Sequence, residues 1–317
     1  MKKVVVLFLL FAFTASGLRA EEKKFTLKNR YPQGKYDMVM NMDMDMTIEM
    51  AGRKMPMKQK MGQYMDIDAG MLESDGSQKI VMEITRVVME QKISLANLKY
   101  DSADEMTHNS PLKAVGAMLG LRLTLTFDGD GKIVKVEGLD EFWDNLAKNP
   151  DYPLQAAEML KKQMTSESMT KNFDSHRETM PPGPVAVGEN WKSTGTAEMP
   201  MIGKLETELD NTLKVVKLVD GVECAEIVSK IKMDTKEPGE IEMGSAKTEY
   251  KNVSMENEST MLMEVETGLV ISNVSDMKME MEMETEVGDR TIEQKMAGTG
   301  RTTVTITRGK ETTDSKN

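Results

Sequence analysis

From residue 36 onward, apolar side chains recur at every second position. In MVMNMDMDMTIEM (38–50), Met38, Met40, Met42, Met44, Met46, Ile48 and Met50 fall on one face. Val39, Asn41, Asp43, Asp45, Thr47 and Glu49 fall on the other. A helix would place its apolar residues three and four apart, so this period of two predicts a strand. Extended, the segment spans about 43 Å, longer than most globular strands and suited to a long, curved antiparallel sheet.

Further strands are predicted at 59–67, 78–93 (broken by a bulge) and 121–127. LTLTFDGDGKIVKVEGL (123–139) reads as a hairpin, with Asp-Gly turn chemistry between two alternating runs. SPLKAVGAMLG (110–120) reads as a short helix ahead of it.

The period then changes. Leu139, Phe142, Trp143 and Leu146 stand at helical spacing, and Leu154, Ala157, Leu160 and Met164 continue a stripe through 154–173. One or two helices are expected at about 139–175. PPGPVAVGENW (181–191) is rigid and turn-rich and closes this segment. Alternation returns in 204–234, a predicted hairpin turning at Asp220-Gly221, and in 246–265 with 269–287, turning at Thr267-Gly268. TTVTITR (302–308) supplies a final strand.

Turns near Asp68-Ala69-Gly70, Asp128–Gly131, Asp220-Gly221 and Thr267-Gly268 divide two hairpin-rich halves, as a duplicated unit would. The predicted fold is mostly β (α+β): a large curved antiparallel sheet or half-barrel carrying one helical segment. Its expected parts are a leader at 1–20, a β half with the helical segment at 21–180, a second β half at 181–308 joined to the first in one domain, and a disordered tail at 309–317.

The leader reading rests on Lys2 and Lys3 ahead of VVVLFLLFAF (4–13), a run too short to span a bilayer but suited to a signal peptide. Cleavage is expected after Ala20, with Gly17 as the alternative site and an uncleaved anchor helix as the alternative reading. No cysteine lies near this boundary, which excludes a lipid-modified N-terminus. A periplasmic or secreted protein with no transmembrane anchor after cleavage is therefore expected.

Composition narrows the class. The 317 residues are 39% hydrophobic, 29% charged and 5% aromatic, ordinary enough for a packed core. The net charge of −11 becomes −14 without Lys2, Lys3 and Arg19, and disfavours nucleic acid, whose binding needs cationic side chains. The single cysteine, Cys224 in VECAEIV (222–228), is expected to be a small buried hydrophobe on a strand.

The run Pro184-Val185-Ala186-Val187-Gly188-Glu189-Asn190-Trp191 resembles a Pro-Val-x-Val-Gly-x-x-Trp feature of a family of exported bacterial proteins of unknown function, as does the turn Glu266-Thr267-Gly268-Leu269-Val270. More distantly, the layout is similar to periplasmic lipoprotein carriers. That resemblance implies a curved half-barrel holding lipid on its concave face beneath short helices. It transfers no catalytic residues.

The distinctive chemistry is methionine, 32 residues in all. Besides 38–50, MPMKQKM (55–61) and DMKMEMEME (276–284) repeat the Met-x-Met pattern. The simplest reading is that Met replaces Leu, Ile and Val on an inner face. The first functional extension is a surface for a lipid or other apolar ligand, formed by Met40, Met42, Met44, Met46, Met277, Met279, Met281 and Met283, since unbranched thioethers repack around variable acyl chains. The second is a soft-metal site for Cu(I) or Ag(I) at Met40, Met42, Met44, Met277, Met279, Met281 and Met283. A sacrificial role as oxidant scavenger and an envelope scaffold with a protein partner are further readings.

Enzyme signatures are missing: no His-Glu-x-x-His, no Gly-x-Ser-x-Gly and no phosphate-binding Gly loop. Asp174-Ser175-His176 are neighbours in sequence, which does not make a triad. In Asp128-Gly129-Asp130-Gly131 the calcium-loop pattern fails at Lys132 and Ile133, leaving a hairpin turn. Glu280, Glu282, Glu284 and Glu286 are expected on the solvated face of the strand that carries the second Met stripe. With His108 and His176 the only histidines, a Zn(II) or Cu(II) site is not expected. No cofactor and no catalysis are expected.

Overall fold

The computed structural model describes residues 23–27, 30–94, 96–147, 161, 165–170, 180–199, 202–243 and 246–309. The first half contains β1 (Lys24–Phe25), β2 (Gly34–Met50), β3 (Arg53–Leu72), β4 (Gln78–Ile93), β5 (Ala96–Asp101), β6 (Arg122–Phe127), β7 (Ile133–Glu137) and the helix α1 (Leu139–Ala147). The second contains β8 (Val185–Ala186), β9 (Asn190–Met199), β10 (Gly203–Val219), β11 (Val222–Met243), β12 (Ala246–Glu264), β13 (Val270–Val287) and β14 (Arg290–Arg308). Twelve strands form one antiparallel sheet in the order β7-β6-β4-β3-β2-β14-β13-β12-β11-β10-β9, with β5 added against β4. Among the described residues, β5, β7 and β9 each pair on one side alone. β1 and β8 form a separate two-stranded ribbon.

The mostly β class and the large antiparallel sheet are as expected, and both halves of the chain lie in that sheet. The strands are longer than predicted. β11 runs 22 residues, about 70 Å if fully extended. β14 begins at Arg290 rather than 302, because Ala297, Gly298 and Gly300 interrupt the alternation that marks a strand in sequence. β3 begins at Arg53 rather than 59 despite Pro56. Pairing with β4 stops at Met57↔Ile93, so this proline sits beyond the neighbour's end, where a missing N–H is tolerated. Pro238 likewise lies in a register shift between β11 and β12.

One predicted turn is misplaced. Asp68, Ala69 and Gly70 lie inside β3, with Ala69 paired to both Gly34 and Ile80. The chain turns instead at 73–77, where the Ser77 N–H donates to the Asp75 carboxylate. The other turns fall where expected. At Asp128–Gly131 the N–H groups of Asp130 and Lys132 both donate to the Asp128 carboxylate. Asp220-Gly221 has positive φ at both residues, the conformation that matches the right-handed twist of its flanking strands. Ala51-Gly52, not predicted as a turn, does the same between β2 and β3. The bulge expected in 78–93 is the register shift that sets Tyr64↔Arg86 beside Met65↔Ile84.

The predicted helix is present as α1, with Leu139, Trp143 and Leu146 buried on one stripe. Lys113–Met118 forms a 3-10 helix. Of 154–173, residues 166–170 are helical; the remainder of that stretch, apart from residues 161 and 165, lies outside the described residues. The leader at 1–20, Asp174-Ser175-His176 and the tail from 310 also lie outside them.

The sheet has a base, near the turns at 73–77, 220–221 and 267–268, and a tip, near the turns at 51–52 and 288–289. A small core cluster of buried Leu205, Val253 and Met281 lies toward the tip, and three larger ones lie at the base. Tyr36, Ile67, Ala69, Ile80, Leu269 and Ile306 are buried together at its centre. α1 packs Trp143 and Leu146 onto Leu123, Leu125 and Val87 on one arm. On the other, the β1–β8 ribbon sets Phe25 and Val185 against Leu213, Ile227, Met263 and Trp191. Cys224 is fully buried in β11, and burial pushes its thiol pKa up.

The outer face is charged in register. Lys192, Asp210, Lys230, Glu258 and Asp276 are successive partners across β9 to β13. Arg301, Asp43, Lys60, Glu90 and Lys99 continue the row across β14, β2, β3, β4 and β5. Lys192–Asp210 at 2.9 Å and Lys60–Asp43 at 3.3 Å close as exposed ion pairs. Each such pair contributes little energy, but a one-residue slip would turn the whole row inward, so the row defends the register.

Candidate functional site

In an antiparallel sheet, directly paired residues project to the same face, so the register places the methionines of the paired strands. Met57, Met46, Gly298, Met279, Met255 and Met233 are successive partners across β3, β2, β14, β13, β12 and β11. One level nearer the tip the row reads Met55, Ile48, Met296, Met281 and Val253. One level nearer the base it reads Gln59, Met44, Gly300, Met277 and Asn257. The two stripes read from sequence therefore share one face and flank the same strand.

That strand carries Gly298 and Gly300 between them, and the neighbouring side chains fill the room their missing side chains leave. A Cβ added at Gly298 would stand 2.7 Å from Met46 Cγ and 2.7 Å from the Asp45 carbonyl oxygen. One added at Gly300 would stand 3.4 Å from Met277 Cε and 3.5 Å from Met44 Cγ. The thioether side chains of β2 and β13 lean over these two glycines, which gives the face a soft, deformable floor.

Met46 and Met281 are buried, at 5% and 8% exposure. Met40, Met42, Met44, Met277, Met279 and Met283 remain half-buried along the stripes. Asp43, Asp45, Glu280 and Glu282, on the opposite face, are exposed, as the alternation predicted. Gln91 Nε2 donates to the Met57 sulfur at 3.2 Å. Sequence reasoning missed Met233, Met255 and Met296 as members of this surface. Each sits in an alternating run, but only the register shows which runs adjoin.

Between the methionine tip and the buried base lies a polar belt. Thr302, Ser275, Ser259, Ser229 and Asn211 are successive partners from β14 to β10, with Trp191 next in β9. Ser275 donates to Asn257 Oδ1 at 2.9 Å. Asn211 is fully buried, and among the described residues neither its Nδ2 nor its Oδ1 has a hydrogen-bond partner. Thr207 Oγ1 and Asn273 Oδ1, on the same face, are buried and likewise without a partner among the described residues. From the level of Ile48 to that of Met38, the described inner-face residues of the paired rows are uncharged.

A concavity of about 830 Å³ crosses β9 to β14. Most of its lining is charged outer-face residues, among them Lys192, Glu208, Lys232, Glu256 and Lys278, and the inner-face row Ser193, Leu209, Ile231, Asn257 and Met277 also borders it. Among the described residues, no group of three or more His, Cys, Asp or Glu side chains is placed to hold a metal ion. No helix among them is long and apolar enough to cross a membrane.

Compared with known proteins, residues 75–270, more than half of the chain, match the model of a family of unknown function (DUF6263). The chain belongs to that family. The DUF6263 match takes in the Pro-Val-x-Val-Gly-x-x-Trp run. There Val185–Ala186 pairs with Lys24–Phe25, the Gly188 N–H donates to the Leu213 carbonyl and Trp191 is buried. No curated protein matches this DUF6263 chain. Among solved structures, a lipovitellin studied for its lipid–protein interactions is similar over 89% of this chain and 26% of its own, at 8% identity and a TM-score of 0.42. This chain thus spans about a quarter of that protein. The OccK5 (OpdH) protein of Pseudomonas aeruginosa is similar over 86% of this chain and 98% of its own, at 7% identity and a TM-score of 0.20. The β domain of the Bordetella autotransporter BrkA is similar over 84% and 98%, at 8% identity and a TM-score of 0.22. At these scores none carries a function across.

Proposed function

We propose that the protein is an exported, non-catalytic binding protein of the cell envelope that holds an apolar ligand, a lipid, against the methionine half of its inner face. The observation that carries this is the six-strand row through Met57, Met46, Gly298, Met279, Met255 and Met233. It is a continuous apolar surface at the tip that the helix and ribbon clusters at the base do not include. Extended apolar surfaces of this kind mark ligand or partner sites, and flexible thioethers adapt to chains of differing shape. The leader read in residues 1–20 supports export.

Native mass spectrometry of protein purified without detergent tests the reading against the denatured mass. The expected result is an excess of a few hundred daltons that disappears on denaturation. A bare polypeptide at both stages overturns it, and increments matching copper or silver replace lipid with a soft metal.

A further inference from the structure

Resting on that reading, we infer that the ligand is an uncharged amphiphile, a lipid with ester and hydroxyl groups of the acylglycerol type. Its head reaches the Asn211 belt and its chain lies over the methionines. Two independent observations point there. The first is charge: the inner-face rows from Ile48 to Met38 hold amides, hydroxyls and thioethers but no cation, while the outer face alternates Lys and Glu. A carboxylate or phosphate head entering that face would lose water and gain no counter-charge, which is far costlier than burying a neutral head.

The second is hydrogen-bonding capacity. Asn211 holds a donor and an acceptor that are both buried and both unpaired among the described residues, and Thr207 Oγ1 lies on the same face of the same strand, two rows nearer the tip. An orphaned buried polar group is destabilising, and a ligand that supplies its partner removes that cost. A glyceryl ester offers the complement, since its carbonyl accepts from Nδ2 and its hydroxyl donates to Oδ1. Ser229, directly opposite Asn211, and Ser259, opposite Ser229, extend the belt toward the methionine stripe of β13. The Met44 and Met277 row lies one level nearer the tip than Asn211, so a head at the belt directs its chain along the methionines.

The test uses full-length mature protein stripped of lipid and three probes with the same chain length: monopalmitoylglycerol, palmitate at neutral pH and hexadecane. Retention on gel filtration is measured for each. Monopalmitoylglycerol is expected to bind about tenfold more tightly than palmitate. Asn211→Leu is expected to bring monopalmitoylglycerol down to the level of hexadecane and to leave hexadecane unchanged. Should Asn211→Leu not fold, the pair Ser229→Ala and Ser259→Ala reads the same belt, and the wild-type ranking stands on its own. Palmitate equal to or tighter than monopalmitoylglycerol overturns the inference, as does an Asn211→Leu protein that keeps the preference. Equal retention of all three overturns the head-group assignment while leaving the apolar surface intact. Retention of none, hexadecane included, overturns the underlying reading and this inference with it.

Discussion

The base and the tip of the inner face are made from the same strands but solve different problems. At the base, aromatic and branched side chains such as Tyr36, Ile67, Leu213 and Ile306 are closed in by α1, the β1–β8 ribbon and one another. At the tip, the same alternation continues with methionine, and most of those side chains stay half-buried. Branched residues fix one packing. Thioethers keep a surface apolar without fixing its shape. The difference teaches that alternation specifies which face a residue joins, while side-chain type distinguishes a sealed core from a yielding surface.

The contrast can be broken most severely at the base. Leu213→Ala, at a fully buried position, is expected to cost about 2–5 kcal/mol in denaturant unfolding. Met279→Ala at the tip should cost distinctly less, and equal losses would erase the distinction. Next comes the glycine floor. Gly298→Val would drive its side chain against the Asp45 carbonyl and Met46, at an expected cost of about 1–3 kcal/mol in the same measurement.

A smaller effect separates the inner face from the charged one. Arg86 donates two hydrogen bonds to Asp101 and holds its pKa below the ordinary 3.8. Because the folded value is depressed, the stabilisation is present above the unfolded carboxyl's range and is lost as pH falls through the folded value. Asp101→Asn should therefore cost about 1 kcal/mol at neutral pH, reduced by solvent around the half-exposed Arg86, and progressively nothing in acid. A pH series of unfolding midpoints checks the sign. Smallest of all, Met279→Leu should change stability by less than about 1.5 kcal/mol, since the swap conserves volume. Its expected signature is a narrower range of bound chain lengths in native mass spectra.

Much of the fold was legible in residues 36–50, 123–139 and 204–287, where alternation and Asp-Gly or Thr-Gly turns coincide. The start of β14 was not, because Gly298 and Gly300 leave no side chain to continue the pattern. Nor was the location of the turn after β3, because Asp68-Ala69-Gly70 has turn composition yet pairs on both sides. The methionine stripes were visible as stripes, but their adjacency depends on pairing between residues more than two hundred positions apart, such as Met46↔Gly298. Asn211 gave no signal at all. In sequence it is an ordinary polar residue in a strand, and its role depends on the side chains that enclose it.

The pairing of β2 with β14 also bears on how the molecule is assembled. Tyr36 meets Arg308 in the middle of the sheet, and β14 follows every other strand among the described residues. Until residues 290–308 emerge, β2 and β13 each present a long unpaired edge rich in methionine, and the two arms have no common seam. Contacts of such sequence separation form slowly and leave adhesive edges open to other chains in the meantime. The centre of this sheet is thus the last part of it to be written.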